Sequence, residues 1–257
     1  MRIIALAKPV PDTYGDRELD LATGLADRGA GDTVIDEVGE RAVEAAVTVA
    51  AAHEGTEIVV LSCAPDMAEA HIRKVLAIGP DRAVHVADPG LAGADLGLTA
   101  ETLAAAVREI GFDLVVAGNV STDGRGGMIP AMLAELLGVP HLTALSAWQL
   151  DGTTVCGSRS DDGSTIELSA ELPAVVSVTE AFPEARFPNF KAIMAAKKKP
   201  FETWDLARLG VSSAPTSPRS IMLAVSEKPA RAAGVRITDE GEAGGLLADF
   251  LFENRLV

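Results

Sequence analysis

At 257 residues, with 48% of them hydrophobic but only 4% aromatic, the chain suits one sizeable domain with an aliphatic core, such as helices make on a parallel sheet. A formal charge of −15 argues against a general nucleic-acid binder, because phosphate contacts need a basic face. No apolar run reaches bilayer length, which argues against direct membrane insertion, and two widely separated cysteines, Cys63 and Cys156, fit a reducing cytoplasm better than a disulfide framework.

Ile3 to Ala7 predicts a first strand, too short and too soon followed by prolines for a signal peptide. The Lys8-Pro9-Val10-Pro11-Asp12 segment behind it reads as a stiff extended turn. It is not the G-x-G-x-x-G turn that opens a standard dinucleotide-binding fold. Residues 14–35 are polar and Gly-rich, a loop or a weak hairpin ending in Val34-Ile35. Asp36 is placed to cap a helix from about Glu37 or Glu40 to Glu54, whose apolar face is Ala42, Val43, Ala46, Val47 and Ala50.

Glu57 to Ser62 predicts the second strand, with Cys63 at its end. Asp66 is expected to cap a helix over Met67 to Ile78, which Gly79-Pro80 breaks. Ala83 to Val86 is the third strand, and Thr99 to Ile110 the next helix. Leu114 to Ala117 is a short apolar run with two β-branched residues, a buried strand. Met128 to Leu137 has apolar residues at helical spacing and stops at Gly138.

Between that strand and helix lies Gly118–Gly127, four glycines among small polar residues. A strand, a glycine-rich turn and a helix N-terminus together present free backbone N–H groups and the positive end of the helix dipole to one spot. Glycines let such a backbone approach a phosphate, and Arg125 can add a counter-charge. The plain alternative is an ordinary βα loop. Asp123 has two readings, a ligand of a ribose hydroxyl or a helix cap. The alternation predicts an α/β fold, a parallel doubly wound, Rossmann-like sheet. Ligands then sit beyond the carboxyl ends of the strands, where the loops after the first, second and fourth converge.

After Pro140 the pattern changes. Ala144 to Leu150, Thr153 to Ser158, Ser164 to Leu168 and Ala174 to Thr179 are short strands separated by Asp-Gly turns, an antiparallel extension over 144–180. Gly210 to Ser220 has the composition of a linker. Ile221 to Val225 is a further strand candidate, and Gly244 to Asn254 a closing helix. The catalytic inventory is thin. The four histidines, His53, His71, His85 and His141, lack metal-ligand spacing, and no nucleophile motif occurs. Cys63 reads as a packed small residue, not a nucleophile. A nucleotide pocket without acid, base or nucleophile points to a carrier or binding subunit, not an enzyme.

Residues 185–200, A-R-F-P-N-F-K-A-I-M-A-A-K-K-K-P, put apolar side chains beside three lysines in an acidic chain. A short helix with its apolar side tucked inward is the plain reading. The segment also resembles one that marks the β subunit of electron transfer flavoproteins. The resemblance extends to L-A-K-P-V-P-D-T at the start, A-V-E-A-A-V at 42–47, A-I-G-P-D-R-A-V-H-V at 77–86, A-G-N-V-S-T-D-G at 117–124 and A-G-V-R-I-T-D-E-G in the tail.

The resemblance implies a heterodimer with an α subunit that holds redox-active FAD. It also implies a buried AMP in this chain, docking of FAD-dependent dehydrogenases, and transfer of their electrons to a membrane-linked respiratory acceptor. The nucleotide site then maps onto Leu6, Asp36 and its turn to Gly39, and Cys63. In the glycine loop it takes in Gly118, Asn119, Thr122, Asp123, Gly124 and Arg125, and continues through Gly126, Gly127, Met128 and Ile129. The 185–199 segment matches the partner-recognition loop, with Phe190 as hydrophobic anchor beside Ile193 and Met194, and with Lys197, Lys198 and Lys199 steering acidic partners.

The implied organisation is a nucleotide-binding domain over 1–200 and a C-terminal arm, 201–257, that packs on the α subunit. Departures occur where relatives carry Asn-Pro-aromatic-Asp and this chain has Asp36-Glu37-Val38-Gly39. They recur at Arg125, Gly126 and Met128, where relatives carry an acidic residue, a hydroxyl and a Gln. Backbone amides then carry more of the binding, and AMP or a second FAD both remain open. The absence of D-G-D-T-A-Q favours AMP. The rival readings are a stand-alone nucleotide hydrolase and an NAD-dependent oxidoreductase.

Overall fold

The computed structural model of the chain describes residues 1–15, 17–29, 31–213, 220, 222–231, 233–234 and 236–257. Strands β1 (Arg2–Leu6), β4 (Glu57–Cys63), β5 (Arg82–Val86), β6 (Leu114–Gly118), β7 (His141–Leu145), β11 (Ala174–Val178) and β12 (Phe201–Trp204) form one sheet in the order β12-β5-β4-β1-β6-β11-β7. Every neighbouring pair in it is parallel. From β1 the chain winds outward through β4 and β5, then crosses to β6 on the other side of β1. The topological switch therefore lies between β1 and β6, where such sheets hold ligands.

Alternation along the strands divides the core. Ile3, Ala5, Ile58 and Val60 point to the face covered by α1 (Glu37–Ala52) and α2 (Glu69–Val75). Ile4, Val59, Leu61 and Val115 point to the face covered by α3 (Leu96–Ile110) and α4 (Ile129–Leu137). Asp36 caps α1 by accepting from the Val38 amide at 3.2 Å, as the sequence predicts. Asp95 does the same for α3, accepting from Leu98 N at 2.8 Å, and so starts that helix earlier than its apolar periodicity indicates. Gly138, with φ of 70°, ends α4 in the left-handed region that a side chain strains to reach.

Several expectations are corrected. The segment after β1 is a strand, not a turn: β2 (Pro9–Pro11) pairs antiparallel with β3 (Thr33–Ile35). Prolines are tolerated there because this two-stranded ribbon leaves one side of each strand unpaired. Asp66 caps no helix; it opens a 3₁₀ turn, Asp66–Ala68, that leads into the shorter α2. The 144–180 extension is antiparallel only in its middle, where β8 (Ala147–Asp151), β9 (Thr154–Asp161) and β10 (Ser164–Glu171) pair in the order β10-β9-β8. Its two ends fall in β7 and β11, and β11, A-V-V-S-V, is buried at every position. That is the mark of a strand covered on both faces, whereas β8 alternates between exposed and half-buried.

The sheet also takes in β12, beyond the expected boundary at 200, and a short helix, α6 (Leu206–Leu209), follows it. Of the strand candidate Ile221 to Val225, Ile221 lies outside the described residues and Met222–Val225 is not a strand. Residues 214–219 of the linker also lie outside them. The chain divides into two units, 1–223 and 224–257. The second contains α7 (Ala243–Glu253), near the helix expected there, with Leu246, Leu247, Phe250 and Phe252 exposed. Among the described residues, no helix is long and apolar enough to cross a membrane.

Gly157 in β9 sits where a Cβ would meet Leu145 Cδ1 at 2.8 Å and the Ala147 carbonyl oxygen at 2.9 Å. A backbone oxygen cannot swing aside, so Gly157→Ala is expected to destabilise the fold by about 1–3 kcal/mol. A lowered midpoint of urea unfolding checks this; an unchanged midpoint would mean that β8 yields freely.

Candidate functional site

The carboxyl rim at the switch point is built around α1. Asp36 is buried, and its carboxylate joins the helix to the glycine loop. One oxygen accepts from Val38 N, and the other accepts from Thr122 N at 2.7 Å and Thr122 Oγ1 at 2.8 Å. Gly118 makes the approach close: a Cβ there would stand 3.1 Å from the Val38 carbonyl carbon and 3.2 Å from Gly39 N. On the other side a Cβ at Gly39 would lie 3.8 Å from Leu6 O and Lys8 N. Leu6, the Asp36–Gly39 turn and the glycine loop are thus brought together.

The loop itself is a turn at Ser121–Arg125, closed by Arg125 N donating to Ser121 O at 3.1 Å. Behind it the amides of Gly126, Gly127 and Met128, among the described residues, have no acceptor within the chain. Met128, before α4, supplies no side-chain cap. Free amides in a glycine-rich run fit an anionic group such as a phosphate.

The cations paired to the loop's own carboxylate are not the one that the sequence offers as counter-charge. Arg125 is exposed, with φ of 51°, and does not pair with the acidic side chains around the loop. The cations that converge come from elsewhere. Lys8 Nζ lies 2.7 Å from Asp123 Oδ1, and Arg28 Nη2 lies 3.2 Å from Asp123 Oδ2. Arg17 donates to Thr122 O, and to Thr122 Oγ1 at 3.2 Å. Lys8 is legible as the residue after the first strand. Arg17 and Arg28 sit in a polar stretch with no pattern to single them out. Asp123 caps no helix: its carboxylate accepts from Lys8, Arg28 and Gly124 N. Burial pushes its pKa up, but the hydrogen bond and charge of Lys8, with the Ser121 hydroxyl and the Gly124 amide, together outweigh burial and bring it down to about 2.

Cys63 borders the apolar face packed by α3 and α4. Burial pushes its thiol up to about 11, against the weaker opposing pull of Lys8. Its thiol thus favours the neutral form, as a packed cysteine does.

The 185–199 segment is held at both ends. Arg186 pairs with Glu44 of α1, its Nη2 2.6 Å and its Nε 2.9–3.0 Å from the carboxylate oxygens, and Arg41 donates to Phe182 O. At the other end Lys199 Nζ donates to Leu76 O at 2.9 Å, Gly79 O at 3.0 Å and Pro80 O at 2.5 Å. Between them lies α5 (Phe190–Ala196), capped by Asn189, which accepts from Ala192 N at 2.9 Å.

Only Ala196 of that helix is buried. Phe187 and Phe190 are 97% and 78% exposed, and Ile193 and Met194 also face outward. The inward-tucked reading is therefore excluded. Lys197 and Lys198 are exposed, whereas Lys199 is committed to three carbonyls and its pKa is lowered by burial.

A family model described as "Electron transfer flavoprotein domain" matches residues 23–209. The chain is 44% identical, over 99% of both chains, to a protein named electron transfer flavoprotein subunit beta from Mycobacterium tuberculosis. It is 43% identical, over the same shares, to one of that name from Mycobacterium leprae. This chain belongs to the electron transfer flavoprotein β-subunit family. A more distant relative, 28% identical over the whole of both chains, is named Caffeyl-CoA reductase-Etf complex subunit CarD, from Acetobacterium woodii.

With a pKa of about 11, about one Cys63 in a thousand is thiolate at pH 8. In a Cys156→Ser variant the rate of alkylation should climb about tenfold per pH unit up to pH 9.5. A rate that levels off with its midpoint near pH 8.5, as for a free thiol, would contradict this.

Proposed function

We propose that the chain is the β half of a heterodimeric electron carrier in the cytoplasm. Its α partner holds FAD, and this chain holds AMP and docks FAD-dependent dehydrogenases whose electrons pass on to a membrane-linked acceptor. Bound with the α subunit, FAD supplies all the redox chemistry. The residues of this chain bind and position. Asp36 fixes the glycine loop against α1, the amides of Gly126–Met128 face the nucleotide's anionic end, and Cys63 stays a neutral wall. AMP is structural in this reading. The C-terminal arm, with the outward apolar side chains of α7, packs on the α subunit.

The observation that carries the docking role is Phe190, exposed on a short capped helix whose flanks are tied down by Glu44 and by Lys199. An apolar side chain held out to solvent on a fixed platform is pre-organised for a partner. Burying it contributes about 1.5–3 kcal/mol, suited to a transient complex. Lys197 and Lys198 steer acidic partners, and Lys199 holds the platform in place.

Co-expression with an α subunit is expected to give a yellow 1:1 complex that releases one FAD and one AMP on denaturation. Two FAD and no AMP, or a chain that ignores α, would overturn the assignment. In that complex Phe190→Ala should leave nucleotide content and melting temperature in place and weaken dehydrogenase docking at least about tenfold, read as slower flavin reduction at limiting dehydrogenase. Unchanged kinetics would remove the anchor role.

A further inference from the structure

The ion cluster on the glycine loop has a composition that a structural salt bridge does not need. In a chain of formal charge −15, Lys8 from the link between β1 and β2 and Arg28 from the segment between β2 and β3 converge on Asp123. That carboxylate accepts from Lys8 Nζ at 2.7 Å, Arg28 Nη2 at 3.2 Å and Gly124 N at 2.6 Å. Two cations and a glycine amide around one pair of oxygens form the donor set that a phosphate takes elsewhere. The cation side chains are 42% and 34% exposed and the Asp123 side chain 9%, so an anion from solvent can reach the cations while the carboxylate lies inside. Charge points the same way. A carboxylate carries one negative charge against two cations, and a phosphomonoester brings about two.

We propose that Asp123 keeps the seat of the nucleotide's phosphate: Lys8 and Arg28 are the counter-charges of a phosphomonoester, and binding exchanges the Asp123 carboxylate for it. The proposal rests on the nucleotide-binding reading above and adds which residues recognise the phosphate. Gly124 on one side of Asp123, and Gly126 and Gly127 further on, give the turn the backbone freedom for the exchange. Arg17, on Thr122, stays where it is and holds the outer strand of the loop. The loop then selects adenosine monophosphate over adenosine, because only the former displaces the internal anion. It also discriminates against nucleotides whose phosphate is esterified on both sides, which bring one charge to the seat instead of two.

The test uses the full chain, freed of endogenous nucleotide by refolding, with AMP and adenosine titrated separately by calorimetry. The wild-type chain is expected to prefer AMP. Asp123→Asn should raise the AMP-over-adenosine ratio about fivefold or more, because the competing charge is gone. Lys8→Met and Arg28→Met should each lower that ratio about tenfold. Asp123→Ala serves as a second variant if the asparagine misfolds, and circular dichroism shows which variants are folded. A ratio that is unchanged or lower in folded Asp123 variants overturns the exchange and leaves Asp123 as a ribose ligand or a brace. A wild-type chain that binds neither AMP nor adenosine overturns the nucleotide reading itself, and with it the exchange.

Discussion

One buried carboxylate, that of Asp36, sets the geometry on which the rest depends. It sits at the N-terminus of α1, satisfies the Val38 amide, and accepts twice from Thr122. A carboxylate removed from water is costly unless donors surround it, and here the donors belong to two segments 86 residues apart in sequence. The need to satisfy this group therefore holds the glycine loop to the first turn of α1. Gly118 then lets the backbones close to contact distance. The same position that starts the helix also anchors the glycine loop at the sheet's switch point.

The parts legible in the sequence were those where one physical rule acts alone. The aliphatic runs of β1, β4, β5 and β6 and the amphipathic α1 stand close to where periodicity puts them, because burial on both faces or on one stripe leaves few alternatives. Strand β12 escaped, because F-E-T-W has only half-buried and exposed positions before Trp204, as an edge strand does. The end of β7 and the whole of β11 were read as part of an antiparallel extension. Asp-Gly turns dominate the local signal there, and only the tertiary burial of β11 separates it from its neighbours.

Within the site, backbone positions were legible and side-chain partners were not. Glycine spacing forecasts a loop that approaches something closely, but it cannot tell which cations approach the loop. Arg17 and Arg28 lie between β2 and β3, and their role follows from the ribbon that these strands form. Arg125, adjacent in sequence, is exposed and makes no ion pair with the loop's acidic side chains. The run of lysines is likewise divided by its surroundings. Of three consecutive lysines, the last lies against the turn after α2 and becomes part of the scaffold, since three carbonyls at a helix end need a donor.

Helix α1 links two surfaces that differ in chemistry. Its first residue follows the carboxylate that holds the glycine loop, and two turns later Glu44 grips Arg186, the entry to α5. Eight residues of helix span about 12 Å. The aromatic platform and the loop are therefore mounted on a common rod of fixed length. Whatever lands on Phe187 and Phe190 is referenced to the sheet's switch point by helical pitch and not by the flexible chain between them, so distance and rotation between the two surfaces are inherited from secondary structure.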